Sequence, residues 1–343
     1  MSKTEIERAG DSLKNVGGGR CKIFPPYDCR GRELRAITVT PTGLGAIPTI
    51  VVPSMSSTTI EKNFPVVSSL VDAVAHLSLH GGEAFRQPFV VDIDEGGYTG
   101  EGENATIAET HFEFASIGRT KITAYAELSH ELQKLPSAPY AQVVFENILT
   151  SMRKLLTREI MLGPGIGADQ RSRITGIFSD KATSIDPATD IEIAQITDTT
   201  LDEILLQYGG DEDVGDNSAA TLILSKLDLL AFSRVRTSTR SKFYEIEFKG
   251  GNGGTISGVP FIINSACKPL SVSQDKGGAA SGEYSMAYGH LSGYQLVEFT
   301  PLTVERSDDF KFRQGMSCFR GEAFVGGNVV RKNAFLRIRA KRA

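Results

Sequence analysis

The sequence predicts a mixed α+β protein built around one long helix and one long two-stranded β ribbon. Three observations predict this fold class. Apolar residues repeat at helical spacing from about residue 140 to residue 160, two extended segments flank a glycine-rich stretch at 96–102, and roughly the last forty residues alternate on a β period. The chain has 343 residues, of which 40% are hydrophobic and 23% charged, so it can bury a sizeable core.

Residues 1–50 are predicted to form an N-terminal arm, because the first part is rich in glycine and basic residues and poor in periodic apolar positions. Residues 51–82 contain a predicted helix. Pro65 fits its first turn, apolar residues follow at helical spacing as far as Leu77, and Gly81-Gly82 ends it.

Residues 83–128 are predicted to form an extended β ribbon. One strand runs to Ile93, and after the glycine-rich tip a second strand returns from Thr110 to Tyr125. An isolated two-stranded ribbon is marginal in water, so we expect it to pack on a neighbouring subunit. Residues 82–114 contain eight acidic residues and one basic residue, and five acids are candidate inter-subunit contacts: Asp92, Asp94, Glu95, Glu101 and Glu103.

Residues 129–180 contain the strongest helical pattern of the chain. Ser137 can cap this helix, and Gly163-Pro164 can end it. About 24 residues at 1.5 Å each would form a rod of roughly 36 Å, which we call the spine helix.

Residues 181–300 are predicted to form a small α/β layer, in which two apolar strands, 219–224 and 259–264, flank a short helix capped by Ser225.

Residues 301–343 are predicted to form closing strands and a basic tail. From Thr303 onward there are ten basic and four acidic residues. These cations could touch phosphates or a partner, although a terminal strand with a solvated face is the simpler interpretation. Three tail residues are candidate inter-subunit contacts: Arg331, Arg337 and Arg339.

No motif is specific for catalysis, a metal or a cofactor, and we predict none of them. His76 and His80 stand four apart, but no third ligand accompanies them. Asp92, Asp94 and Glu95 lack the ligand rhythm of a calcium loop. The four cysteines form no CxxC pair and are predicted to be free thiols.

Whole-chain properties argue against other classes. The net charge of −4 is unusual for a dedicated nucleic-acid binder. No apolar run approaches the roughly 18 residues that span a bilayer, so no membrane partner is expected.

The order of these parts resembles the major capsid proteins of tailed bacteriophages, which have the Hong Kong ninety-seven (Johnson) fold. The resemblance covers about residues 37–343. The segments that carry it are 120–132, 162–165 with 174–177, 256–261, 304–310 and 332–335.

This resemblance implies a structural protein, not an enzyme, in which the ribbon is the E-loop, 181–300 the axial domain, and the remaining segments around the spine helix the peripheral domain. It implies self-assembly as pentamers and hexamers into an icosahedral virion capsid around double-stranded DNA. Assembly in the host bacterial cytoplasm, scaffolding and portal proteins and a possible decoration protein are further implications. The acidic ribbon would lie on a neighbour's basic surface, such as the tail.

Some family members crosslink a ribbon lysine to a tail asparagine with the help of a glutamate. Glu322 falls at the glutamate position, but Gly315 occupies the asparagine position, and residues 82–114 contain no lysine. We therefore predict a non-covalent shell. The arm is too short for a fused scaffolding segment, so scaffolding is expected to be a separate protein unless the numbering begins after processing.

Two alternatives remain. An encapsulin-type nanocompartment shell shares this fold but encloses cargo enzymes. A soluble hydrolase would use the acidic cluster at 92–95 together with a histidine.

Overall fold

The computed structural model describes residues 67–133, 140–165, 173–209 and 220–341, all within one compact unit of the chain. The predicted arm, the cap at Ser137 and the last two residues lie outside the described residues.

The described residues form five α-helices and thirteen β-strands. The helices are α1 (Leu70–Ala73), α2 (His130–Gln133), α3 (Tyr140–Leu162), α4 (Thr200–Gln207) and α5 (Lys226–Arg234). The strands are β1 (Ala75–Ser78), β2 (Ala84–Ile93), β3 (Thr110–Gly118), β4 (Thr120–Ser129), β5 (Ile191–Ile193), β6 (Ala220–Leu224), β7 (Ile246–Phe248), β8 (Gly253–Ile256), β9 (Val259–Ile263), β10 (Tyr284–His290), β11 (Tyr294–Lys311), β12 (Met316–Val329) and β13 (Phe335–Ala340). Short 3₁₀ turns are Pro187–Thr189, Gln274–Lys276, Leu291–Gly293 and Phe312–Gln314.

The ribbon consists of β2 and β3, which pair antiparallel from Ala84 opposite Gly118 to Ile93 opposite Thr110. The first predicted strand is confirmed. The prediction of a single returning strand to Tyr125 was wrong, because the chain leaves the ribbon at Arg119 and continues as β4 in another sheet. Of the predicted returning strand, only β3 therefore belongs to the ribbon.

A four-stranded sheet in the order β1-β11-β12-β4 lies against the spine helix, α3. Ile148 and Met152 of the helix face Gly321 of β12, where an added Cβ would lie 2.6 Å from Ile148 Cγ2. The glycine lets the helix approach the sheet closely, and the interface is part of the main hydrophobic core.

The end of the spine helix is held by the chain that follows it. The amide of Ile177 donates to the carbonyl of Ile160 at 2.9 Å, and the amide of Phe178 donates to that of Met161 at 2.9 Å. These bonds satisfy carbonyls that a helix C-terminus leaves unpaired. The predicted helix stop at Gly163 is confirmed.

The prediction of one helix from Pro65 to Leu77 was wrong for most of the residues that the structure describes, and Pro65 itself lies outside them. Among residues 67–77, only Leu70–Ala73 is helical, whereas Ala75–Ser78 is a strand parallel to β11, with Ala75 opposite Gln295. Pairing with a distant strand outweighs the local helical spacing of this segment.

The second large sheet has seven strands in the order β5-β13-β10-β6-β9-β8-β7. Its central strand β6 is buried at every position, as predicted for 219–224. Ser225 caps α5, accepting from the amide of Asp228 at 3.1 Å, as predicted. Because β13 lies in this sheet and β11 and β12 in the other, residues 301–343 are divided between two sheets.

Candidate inter-subunit surfaces

One face of the ribbon is apolar and exposed. Val90 stands opposite Phe112, and Pro88 opposite Phe114, so these four side chains share one face. Phe112 is 62% exposed and Phe114 is 63% exposed. Within the part of the chain that the structure describes, nothing covers this face, which we call the apolar ribbon face.

The base of the ribbon is fixed to the four-stranded sheet. Ile117 is buried against Val297 and Phe299 of β11, and the side-chain amide of Asn328 donates to the carbonyl of Ser116 at 3.1 Å. The tip lies beyond these contacts. The distal part of the ribbon is thus exposed, while its base is anchored to the subunit.

All five predicted acidic contacts of the ribbon are exposed at or near the tip. Asp94 lies 3.4 Å from His111, and its other oxygen accepts from the amide of Glu109 at 3.1 Å. Asp92 accepts from the amide of Ile93 at 2.8 Å. Asp94 thus links the two sides of the ribbon where the tip begins, and both carboxylates remain exposed to solvent.

The structure brings no metal site together at these acids. Among the described residues, no group of three or more His, Cys, Asp or Glu side chains could hold a metal ion. His76 is in a strand rather than a helix, and its Nε2 lies 2.6 Å from the carbonyl oxygen of Val71. The i and i+4 placement of His76 and His80 on one helix therefore does not exist.

Arg337 of the basic tail is buried within the subunit, with only 1% of its side chain exposed. Its Nε and Nη2 donate to the two carboxylate oxygens of Asp190 at 2.8 and 3.0 Å, and Nη1 donates to the carbonyl of Ser179 at 3.3 Å. The guanidinium also stacks on Tyr284, 4.7 Å from the ring centroid. Arg337 is therefore not available as an inter-subunit contact.

Arg339 is largely committed to the same cluster. Its Nη2 lies 2.5 Å from Asp190 Oδ2 and 2.6 Å from the hydroxyl of Tyr284. Burial, and then the hydrogen bond that Tyr284 donates to Asp190, raises the pKa of the Tyr284 hydroxyl. Of the three predicted tail contacts, only Arg331 is exposed.

Glu322 has a lysine partner in its own subunit. Lys121 Nζ lies 2.9 Å from Glu322 Oε1 on the outer face of the four-stranded sheet, and this hydrogen bond lowers the pKa of Glu322. Gly315 ends the turn after Phe312–Gln314 with a φ of 63°. The glutamate is thus engaged in a structural ion pair across β4 and β12.

Sequence reasoning missed the partner of the tail arginines and a second group of exposed apolar side chains. Leu227 and Leu230 of α5 are 46% and 43% exposed and line a groove of about 420 Å³. Their spacing of three on a predicted helix was the available signal. Asp190 gave no such signal, because it stands 147 residues before Arg337.

Comparison with known proteins agrees with this architecture. The family model described as phage capsid family matches residues 49–339. No curated protein matches the sequence. The chain is similar to a solved structure described as the capsid of a native GTA particle computed with C5 symmetry, with a TM-score of 0.64 and 15% identity over 85% of this chain and 96% of that chain. It is also similar to a structure from Gordonia phage Cozz, with a TM-score of 0.59 and 13% identity over 89% of this chain and 99% of that chain. A structure from Mycobacterium phage Bobi has a TM-score of 0.58 and 10% identity over 85% of this chain and 96% of that chain.

These matches confirm the predicted mixed fold of the capsid type. In addition, none of the described helices is long and apolar enough to cross a membrane.

The buried pair of Arg337 and Asp190 predicts a large effect on stability. Replacing Asp190 with Ala would leave a buried guanidinium unpaired, so we expect the free energy of unfolding to fall by about 3–5 kcal/mol. Urea unfolding of the unassembled subunit measures this change in the free energy of unfolding. D72A removes an exposed partner of Arg153 and should cost no more than about 1 kcal/mol. Similar losses in both variants would contradict the assignment.

Proposed function

Because the chain belongs to the phage capsid family, we propose that its copies assemble as pentamers and hexamers of an icosahedral shell around double-stranded DNA. Family membership makes it a structural major capsid protein located in the virion capsid. The finer proposal concerns how copies hold one another and what they enclose.

The apolar ribbon face is the observation that carries this proposal. Two strands with no third neighbour are marginally stable in water, and two phenylalanines exposed side by side mark an interaction site. A second copy of the chain is the proposed partner. In a closed symmetric assembly every copy gives one ribbon and receives another.

The acidic tip adds charge to this contact. The five predicted acids, Asp92, Asp94, Glu95, Glu101 and Glu103, remain the proposed contacts, together with Arg331 of the tail. Lys332 and Lys341 are further tail cations without a carboxylate partner among the described residues. The basic surface that receives the tip is thus smaller than the tail sequence indicated.

We propose that the shell is held without covalent bonds between subunits. Neither strand of the ribbon contains a lysine, and Glu322 is paired with Lys121 in its own subunit. An isopeptide needs a lysine amine beside an asparagine or a similar carbonyl group, and no lysine of the ribbon could supply it.

Scaffolding and portal proteins, a possible decoration protein, packaged DNA on the inner face and assembly in the host cytoplasm belong to the same proposal. The family match favours neither alternative, an encapsulin-type shell or a hydrolase. Nucleic acid inside purified particles would distinguish a virion shell from an encapsulin.

The apolar ribbon face gives the central test. The double variant F112S/F114S removes two exposed aromatic side chains, and we expect folded subunits that no longer form shells. F112L/F114L keeps the face apolar and should still assemble. Electron microscopy and sedimentation report shells, and circular dichroism reports folding. Shells from F112S/F114S as abundant as from the unaltered chain would overturn the proposed contact.

The non-covalent shell predicts a simple gel result. Purified shells boiled in detergent should run as one band at the subunit mass of 37.0 kDa. A ladder at multiples of this mass would mean that subunits are crosslinked.

The acidic tip predicts shells that weaken as salt rises. Screening shortens the range of charge interactions from about 10 Å at 0.1 M salt to about 3 Å at 1 M, so shells should dissociate at a lower temperature in 1 M salt. Light scattering on heating measures this. E101Q/E103Q should reduce the salt dependence, whereas E131Q/E192Q, which removes two exposed carboxylates elsewhere, should not. Shells indifferent to salt would count against the charged contact.

A further inference from the structure

A short hairpin follows α5 and precedes β7 at the edge of the seven-stranded sheet. The amide of Phe243 donates to the carbonyl of Val235 at 3.2 Å, and the amide of Thr237 donates to that of Ser241 at 3.0 Å. Arg236 and Lys242 form an isolated antiparallel bridge between the two arms. We call residues 234–243 the basic hairpin.

The basic hairpin carries four exposed cations, and the sequence contains no acidic residue between Asp228 and Glu245. Within the described ranges, none of the four cations forms an ion pair with a carboxylate, unlike Arg337 and Arg339. Arg236 donates to the backbone carbonyls of Ser233 and Val235. The cations are Arg234, Arg236, Arg240 and Lys242. Since Arg236 and Lys242 are directly opposed, their side chains lie on one face of the hairpin.

Hydroxyl groups fill the tip between these cations. Thr237 Oγ1 lies 2.5 Å from Ser241 Oγ, and Thr239 Oγ1 lies 3.1 Å from both. Arg240 stands at this tip with a φ of 62°, which is uncommon for a residue with a side chain. The surface is therefore rich in hydrogen-bond donors and strongly positive.

The chemistry of this surface fits phosphate better than a protein partner. Protein interface cores are built around aromatic side chains and are depleted in lysine. Here Val235 is half-buried, and Phe243, 41% exposed, packs edge-on against Tyr244 with 4.9 Å between ring centroids, so one partly exposed ring stands among four exposed cations. Arginine, lysine, serine and threonine are the side chains that hold phosphate oxygens of nucleic acids.

We propose that the basic hairpin contacts the phosphate backbone of the enclosed double-stranded DNA. The contact reads no base sequence, because charged and hydroxyl groups hold phosphate oxygens, which are the same at every base pair. This inference rests on the proposed shell around DNA, and it assigns the contact to one surface of the subunit.

The test measures binding of a fluorescent DNA duplex to the full chain, kept below the concentration at which shells form, over a series of salt concentrations. Each phosphate contact contributes about one unit to the slope of log affinity against log salt. R236S/K242S should therefore reduce the magnitude of this slope by roughly two, equally for duplexes of different sequence. R236K/K242R keeps both charges and should retain the slope.

The control K249S/K276S removes two exposed lysines, one directly after β7 and one in the turn Gln274–Lys276. It changes the net charge by the same amount and should leave the slope nearly unchanged. Equal losses from both pairs, or none from R236S/K242S, would overturn the site. If R236S/K242S alone fails to form shells, the hairpin contacts another copy and the proposal is also overturned. R236Q/K242Q repeats the measurement with longer polar side chains should the serine variant unfold. Shell formation by the unaltered chain tests the proposed function separately.

Discussion

The buried pair of Arg337 and Asp190 is the interaction that ties the turn after the spine helix to the edge of the seven-stranded sheet. Its guanidinium reaches the carbonyl of Ser179, in the turn after the spine helix, while Asp190 stands directly before β5. Removing two charges from water is costly, and the cost is offset only when every hydrogen-bonding group is well placed. Nearby, Asn333 binds the backbone of both Ser184 and Asp186. Residues 184–190 are thereby held in a fixed position beside residues 333–337.

Unlike the buried pair of Arg337 and Asp190, the ribbon is stabilised within the subunit only at its base. Ile117 joins a small buried cluster with Val297 and Phe299, but Phe112 and Phe114, a few residues farther out, have no covering side chain among the described residues. In the proposed contact, a second copy would cover the apolar area that an isolated ribbon leaves in water. The same burial would then stabilise both the ribbon and the assembly.

Local pattern was sufficient for elements whose periodicity and end signals agree. The spine helix, the first ribbon strand and the cap at Ser225 were predicted for this reason. Residues 75–78 were assigned to a helix because the parallel pairing with β11 depends on residues about 220 positions away. The break at Arg119 was missed because both halves are extended, and only strand pairing separates them. The apolar ribbon face needed the observed register, which the sequence does not specify.

Charge shows most clearly why residue type alone does not locate a contact. Arg337 and Arg339 alternate with Leu336 and Ile338, a pattern typical of a strand with one solvated face, yet both arginines meet Asp190. Among the described residues, the cations of the basic hairpin form no ion pair with a carboxylate, and Arg236 donates to the backbone carbonyls of Ser233 and Val235 instead. Two equally basic segments thus differ in whether the fold supplies a carboxylate. A cation paired with a carboxylate inside the subunit contributes to its stability, and an exposed cation without a carboxylate is available to other molecules. The net charge of −4 sums over cations of both kinds, so it does not show which of them are paired with a carboxylate.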